Sequence, residues 1–136
     1  MKVFIDTSAF YALADSNDRN HEAAAEKYDE LLDRKTKLVL SDHILAESAT
    51  LIRRRLGYEA SQRYLHLLEK SETIGTFQIA FVDASLLHSA KVIFSEMADL
   101  KLSLVDALSF AAMRKMAIRH YFAFDDHFRQ AGFEPA

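Results

Sequence analysis

Four acidic residues sit where a carboxylate needs a reason to be. Asp6 closes the apolar run Val3-Phe4-Ile5. Glu47 lies within a mostly apolar stretch, between Ile44-Leu45-Ala46 and Leu51-Ile52. Asp106 interrupts Leu102-Ser103-Leu104-Val105 and Ala107-Leu108, and Asp125 closes Tyr121-Phe122-Ala123-Phe124. Carboxylates beside hydrophobic segments are costly unless they are paired or hold a cation. Brought together, these four would form an oxygen-rich cage for a hard divalent metal. The chemistry expected of such a cage is metal-assisted attack on phosphate esters. Without the cation, two carboxylates about 5 Å apart repel by roughly 3 kcal/mol at an effective dielectric of about 20. Some of their pKa values should then be raised.

Each acid also has an ordinary structural explanation. Asp6 precedes Thr7 and Ser8 and can cap a following helix. Ser103-x-x-Asp106 resembles a capping box with Asp in place of Glu. That role is compatible with metal binding. Glu47 has His43, Ile44, Thr50 and Leu51 as helical neighbours, so it borders an apolar stripe. Asp125-Asp126 can form a turn. Arg53-Arg54-Arg55 reads as a solvated helix end favoured by the dipole, or as phosphate contacts beside the acids. Arg114, Lys115 and Arg119 carry the same two readings. Asp99 stands in a polar stretch before Ser103, with a supporting role at the site as its second reading. The histidines show no tight ligand spacing, although His43 and Glu47 are one turn apart. Tyr28, Tyr64, Leu67 and Leu68 read as core or subunit-interface residues.

The bulk properties narrow the function. A chain of 136 residues is read as one domain, 1–136, long enough to bury about two-thirds of its extended surface. It has no cysteine, so thiolate nucleophiles, disulfides and cysteine zinc sites are excluded, and a reducing cytoplasm is expected. The net charge of −3 rules out bulk electrostatics as the means of holding nucleic acid, leaving local basic patches or bound metal. No apolar run is long enough to span a membrane. Val3-Phe4-Ile5 is too short for a signal-peptide core. Gly57, Gly75 and Gly132 are isolated, so P-loop and dinucleotide fingerprints are absent. No Gly-x-Ser-x-Gly elbow occurs. His21-Glu22 is followed by Ala25, where a zinc-protease helix needs histidine.

These acids must be positioned by alternating strands and helices. Lys2 to Ile5 reads as a short buried strand. Ala24, Ala25, Tyr28, Leu31 and Leu32 give a helix over His21 to Arg34. Leu38-Val39-Leu40 is a second strand. Ser41 or Asp42 caps the helix that runs to about Arg55. Gly57 separates it from a helix with Ala60, Tyr64, Leu67 and Leu68 on one face. Phe77 to Val82 is a third strand. Leu86, Ala90, Ile93 and Met97 mark another helix, and Ser103 caps one reaching about Ala117. Tyr121 to Phe124 is the fourth strand, followed by a short helix around Asp126 to Ala131 and a stub near Phe133. Such alternation predicts a mostly parallel sheet with helices on both faces. Ligands of such sheets bind beyond the carboxyl ends of the strands, where Asp6 and Asp125 fall. Asp106 lies in the first turn of its helix, where the dipole favours a carboxylate.

Four blocks carry a resemblance: Phe4-Ile5-Asp6-Thr7-Ser8-Ala9, the helix around Ala46-Glu47, Leu102 to Ser109, and Phe124 to Phe133. In order and spacing the chain resembles the PIN-domain ribonucleases, particularly the VapC-type toxins of prokaryotic toxin–antitoxin pairs. The resemblance implies a three-layer α/β/α, Rossmann-like PIN sandwich with a central, mostly parallel sheet of four to five strands. It implies a Mg²⁺- or Mn²⁺-dependent endoribonuclease that leaves 5′-phosphate and 3′-hydroxyl ends, a homodimer, and inhibition by a VapB-type antitoxin. The family's acidic site falls on Asp6, Glu47, Asp106 and Asp125. Thr7 and Ser8 match supporting hydroxyl positions, with Asp99 and Asp126 as further candidates. The chain departs from the family at Pro135, which limits any last strand and leaves a fifth strand in question. Two rival readings differ in class. One is a non-catalytic PIN-like module that binds RNA or protein. The other is an aspartate-nucleophile phosphatase using Asp6, in which Ser8 stands where a second aspartate is needed.

Overall fold

The computed structural model describes residues 1–136. Five parallel strands form one sheet in the order β3-β2-β1-β4-β5. They are β1 (Lys2–Ile5), β2 (Lys37–Ser41), β3 (Phe77–Ala80), β4 (His120–Phe122) and β5 (Glu134–Pro135). Helices α1 (Thr7–Ala14) and α2 (His21–Asp33) lead from β1 to β2. Helices α3 (Asp42–Leu56) and α4 (Tyr58–Thr73) lead from β2 to β3. Helices α5 (Ala84–Glu96) and α6 (Leu104–Lys115) cross from β3 to β4, and α7 (His127–Gln130) precedes β5. Val3, Phe4 and Ile5 are all fully buried, as are Leu38, Val39 and Leu40. Successive strand residues point to opposite faces, so helices must cover both sides of the sheet.

The chain winds outward from β1 to β3, then restarts on the other side of β1 with β4. The winding direction therefore reverses between β1 and β4. In open α/β sheets that reversal opens a crevice at the strand ends. Asp6 follows β1 directly, and Asp125 lies just beyond β4.

Local chemistry sets the element ends. Ser41 caps α3 by accepting from the Ile44 N–H at 3.1 Å. Asp42 lies in the first helical turn and accepts from the Val82 N–H at 3.1 Å. That contact takes Val82 out of the expected strand, so β3 stops at Ala80. The expected fourth strand is likewise shorter than Tyr121 to Phe124, because the Ser8 hydroxyl takes the Phe124 N–H at 3.0 Å. The fifth strand forms despite Pro135. Its ladder uses the Glu134 N–H to Arg119 O (3.0 Å) and the Ala136 N–H to Tyr121 O (2.8 Å), so the edge position asks no donor of proline.

Two features away from the strand ends matter below. Gly57 ends α3 and opens α4 with φ 98° and ψ 176°, a conformation essentially restricted to glycine. Gly57→Ala should cost about 1–3 kcal/mol, even though a Cβ there meets nothing within 4 Å. A chemical denaturation midpoint measures the loss; an unchanged midpoint would refute it. Between α1, α2 and α4 lies an apolar recess of about 350 Å³. Tyr28, Tyr64, Leu67 and Leu68 line it with Phe10 and Phe77. Phe10 packs edge-on against Tyr64 with ring centres 5.3 Å apart. Leu67 is 61% exposed, so part of this group is core and part is surface.

Candidate active site

Asp6, Glu47, Asp106 and Asp125 line one open cleft of about 570 Å³, together with Thr7, Ser8, Lys101, Ser103 and His127. The acids come from four separate segments: the end of β1, the middle of α3, the first turn of α6, and the loop after β4.

Asp6 is buried, with 6% of its surface exposed. It caps α1, its Oδ2 accepting from the Ser8 N–H at 3.2 Å and the Ser8 hydroxyl at 2.9 Å. The Ser8 hydroxyl in turn accepts from the Phe124 N–H. One side chain thus ties the end of β1 to the loop that carries Asp125. Asp106 completes a true capping box: its N–H donates to Ser103 Oγ at 3.0 Å, and its Oδ2 accepts from the Ser103 N–H at 3.1 Å. Asp125 Oδ1 accepts from the His127 N–H at 3.1 Å. His127 Nδ1 lies 3.0 Å from Asp106 Oδ2 and 3.8 Å from Asp125 Oδ1, so the imidazole bridges two of the acids.

A pattern runs through the three aspartates. Each has one oxygen held by protein donors: Oδ2 of Asp6, Oδ2 of Asp106 and Oδ1 of Asp125. In each, the other oxygen has no protein donor. No three acidic or histidine side chains stand close enough here to enclose an ion by themselves. The chemistry of the donors nevertheless fits a hard divalent cation, because three carboxylates that line one cleft each keep an oxygen free of protein donors. The Thr7 hydroxyl beside them is buried without any hydrogen-bond partner.

The electrostatics point the same way. Burial, aided by the negative charges of Asp125 and Asp106, pushes the Asp6 carboxyl up to about 7 against the lowering effect of the Ser8 hydrogen bonds. Burial raises Asp125 as well, while the His127 N–H and ring oppose the rise. A raised carboxyl stabilises the fold fully below its unfolded value of 3.8 and loses that contribution as pH climbs through about 7. Metal-free protein should therefore lose stability relative to Asp6→Asn between about pH 4 and pH 8, by at most on the order of 4 kcal/mol. Thermal melts of both proteins across that range test this; parallel curves would contradict it.

The structure places the remaining candidates. Glu47 borders the apolar stripe of α3 and stands outside it. Ile44, Ser48 and Ile52 form the buried stripe of α3, and Glu47 lies on the exposed flank facing the cleft. Asp99 occupies an exposed turn and Asp126 an exposed position 3.5 Å from Arg129; neither is among the residues lining the cleft. His127 and Lys101 are cleft residues that the sequence reading did not single out. His127 lies two residues after Asp125, which was its only signal.

A parallel sheet with acids gathered at the reversal of strand order defines a Rossmann-like α/β/α fold with an acidic cleft. The PIN-domain family model matches residues 3–134, and the chain belongs to that family. Over 131 residues it is 32% identical to the 23S rRNA-specific endonuclease VapC20 of Mycobacterium tuberculosis, in strains CDC 1551 / Oshkosh and ATCC 25618 / H37Rv; the match covers 96% of this chain and 95% of the relative. The crystal structure of M. tuberculosis VapC20, a sarcin-ricin loop cleaving toxin, superposes with a TM-score of 0.85 at 31% identity and 98% coverage of both chains. Within the family the chain is a VapC-type endoribonuclease toxin.

Proposed function

We propose that Asp6, Asp106 and Asp125 hold a Mg²⁺ or Mn²⁺ ion, directly or through water, and that Glu47 helps bind a second ion or orients the attacking water. The observation that carries this reading is the single cleft lined by three aspartates from separate segments, each with one carboxylate oxygen free of protein donors. When bound, such an ion neutralises charge developing on the phosphate and eases ionisation of the attacking water. The protein's own part is positional. The Ser8 hydroxyl fixes the Asp6 carboxylate and the loop before Asp125 together. The capping box fixes Asp106. The His127 imidazole lies beside Asp106 and Asp125 and helps to orient both carboxylates.

By kinship with VapC20, the substrate is taken to be a loop of ribosomal RNA, and the partner a VapB-type antitoxin. The protein acts as a single domain over 1–136, in the cytoplasm, as a homodimer. No helix is long and apolar enough to cross a membrane. The exposed apolar recess beside Leu67 supports association with another protein chain.

Purified protein incubated with ribosomal RNA and Mn²⁺ should produce discrete cuts. EDTA should abolish them, and re-added Mg²⁺ or Mn²⁺ should restore them. Cleavage that persists in EDTA would refute the metal assignment. Binding of RNA without cleavage under any divalent ion would favour a non-catalytic module.

A further inference from the structure

The cleft does not end at the acids. It continues along α3 into a second recess lined by His43, Thr50 and Arg54, with Thr7, Glu47 and Leu51 shared between the two. His43, Glu47, Thr50 and Arg54 recur at intervals of four, three and four residues, which places them on one face of the helix. Arg54 lies two turns beyond Glu47, about 10 Å along the axis. Helical side chains lean toward the N-terminus, which here means toward the acids.

The three consecutive arginines separate cleanly. Arg53 lies over the Tyr58 ring at 5.2 Å, and Arg55 lies over the Tyr11 ring at 5.1 Å. A rotation of about 100° per residue sends both away from the recess. Arg54 is exposed and belongs to none of the ion pairs, which join arginines 34, 119 and 129 to acids elsewhere. On the other side, Lys101 lines the cleft and is also unpaired. A chain of net charge −3 whose cleft carries four carboxylates repels a polyanion. Substrate must therefore be held by cations placed beside the acids.

We propose that the α3 recess is the track of a single-stranded RNA segment, and that Arg54 grips a phosphate flanking the scissile one. The guanidinium fork suits two phosphate oxygens at once, with Thr50 one turn away and His43 further along the same recess. Lys101 marks the opposite exit of the strand. This assignment rests on the endoribonuclease reading and adds to it the direction in which the substrate lies.

The test uses Asp6→Asn protein and a short fluorescent single-stranded RNA, titrated by anisotropy over a series of salt concentrations. Adding Arg54→Ala should weaken binding roughly tenfold and reduce the slope of log affinity on log salt by about 0.7. Arg54→Lys should keep the slope and recover only part of the affinity, because it lacks the fork. Arg53→Ala should match the parent in both. An unchanged slope for Arg54→Ala, or an equal loss for Arg53→Ala, would overturn the proposal. The two possible failures are separable. Unaltered binding by Arg54→Ala beside normal cleavage by the wild-type protein rejects the track alone. Absence of cleavage by the wild-type protein with Mn²⁺ rejects the activity on which the track depends, and the track with it.

Discussion

Asp6→Asn is expected to abolish RNA cleavage while leaving the metal-free protein at least as stable as the parent. The two halves of that result have different causes. The substitution removes an anionic oxygen from the proposed ligand set, and the metal's share of transition-state stabilisation is several kcal/mol. The rate should then fall by roughly a thousandfold or more. Stability moves the other way, because Asp6 is buried beside other carboxylates and its carboxyl is held up at about 7. An asparagine carbonyl can still accept the Ser8 N–H and cap α1, without the buried charge. Activity assays with Mn²⁺, paired with thermal melts in EDTA, measure both. Full activity in Asp6→Asn, or a melting point several degrees lower without metal, would remove Asp6 from its assigned role. Asp106→Asn provides the contrast. Its cleavage should be lost too, but its metal-free stability gains less, because the native carboxylate sits in a capping box and faces His127.

Phe128→Ala should be the most destabilising single change near the site. Phe128 is fully buried. Its ring packs against Tyr121 at 5.0 Å, Phe110 at 5.2 Å and Phe4 at 6.2 Å, joining strands β1 and β4 to helix α6. Truncating such a ring costs about 3–5 kcal/mol, a large share of the 5–15 kcal/mol that holds a typical domain together. The melting temperature should drop by roughly 10–20 °C. The neighbouring residue, His127, bridges Asp106 and Asp125. Protein that remains folded at low temperature should therefore also bind Mn²⁺ more weakly. Calorimetry and a metal titration check the two effects. A shift of only a degree or two would mean that α7 is not anchored by this ring.

Much of this arrangement was legible because it rests on short-range patterning. Val3-Phe4-Ile5 and Leu38-Val39-Leu40 are too apolar and too brief to be anything but buried strands, and that alone places Asp6 at a strand end. Ser103-x-x-Asp106 announced its capping box by type and interval. Illegible features were those set by contacts between distant parts of the chain. The early end of β4 depends on Ser8, 116 residues away from Phe124 in sequence. The early end of β3 depends on Asp42, 40 residues from Val82. Glu47 sat among apolar letters, yet the helical phase turns Ile44, Ser48 and Ile52 inward and leaves Glu47 in solvent. His127 could not be paired with Asp106 before the fold brought α7 against α6. The arginine triplet read as one patch, and only the rings of Tyr58 and Tyr11 distinguish its members.

The scarcity of hydrocarbon in the acidic cleft has a pharmacological side. Leu51 and Leu102 are its only apolar side chains, so a drug-sized molecule would find little greasy surface to shed water against and would have to rely on chelation. The recess walled by Phe10, Tyr28, Tyr64 and Leu67 offers the reverse. A molecule that needs a hydrophobic grip would find it there, away from the acids.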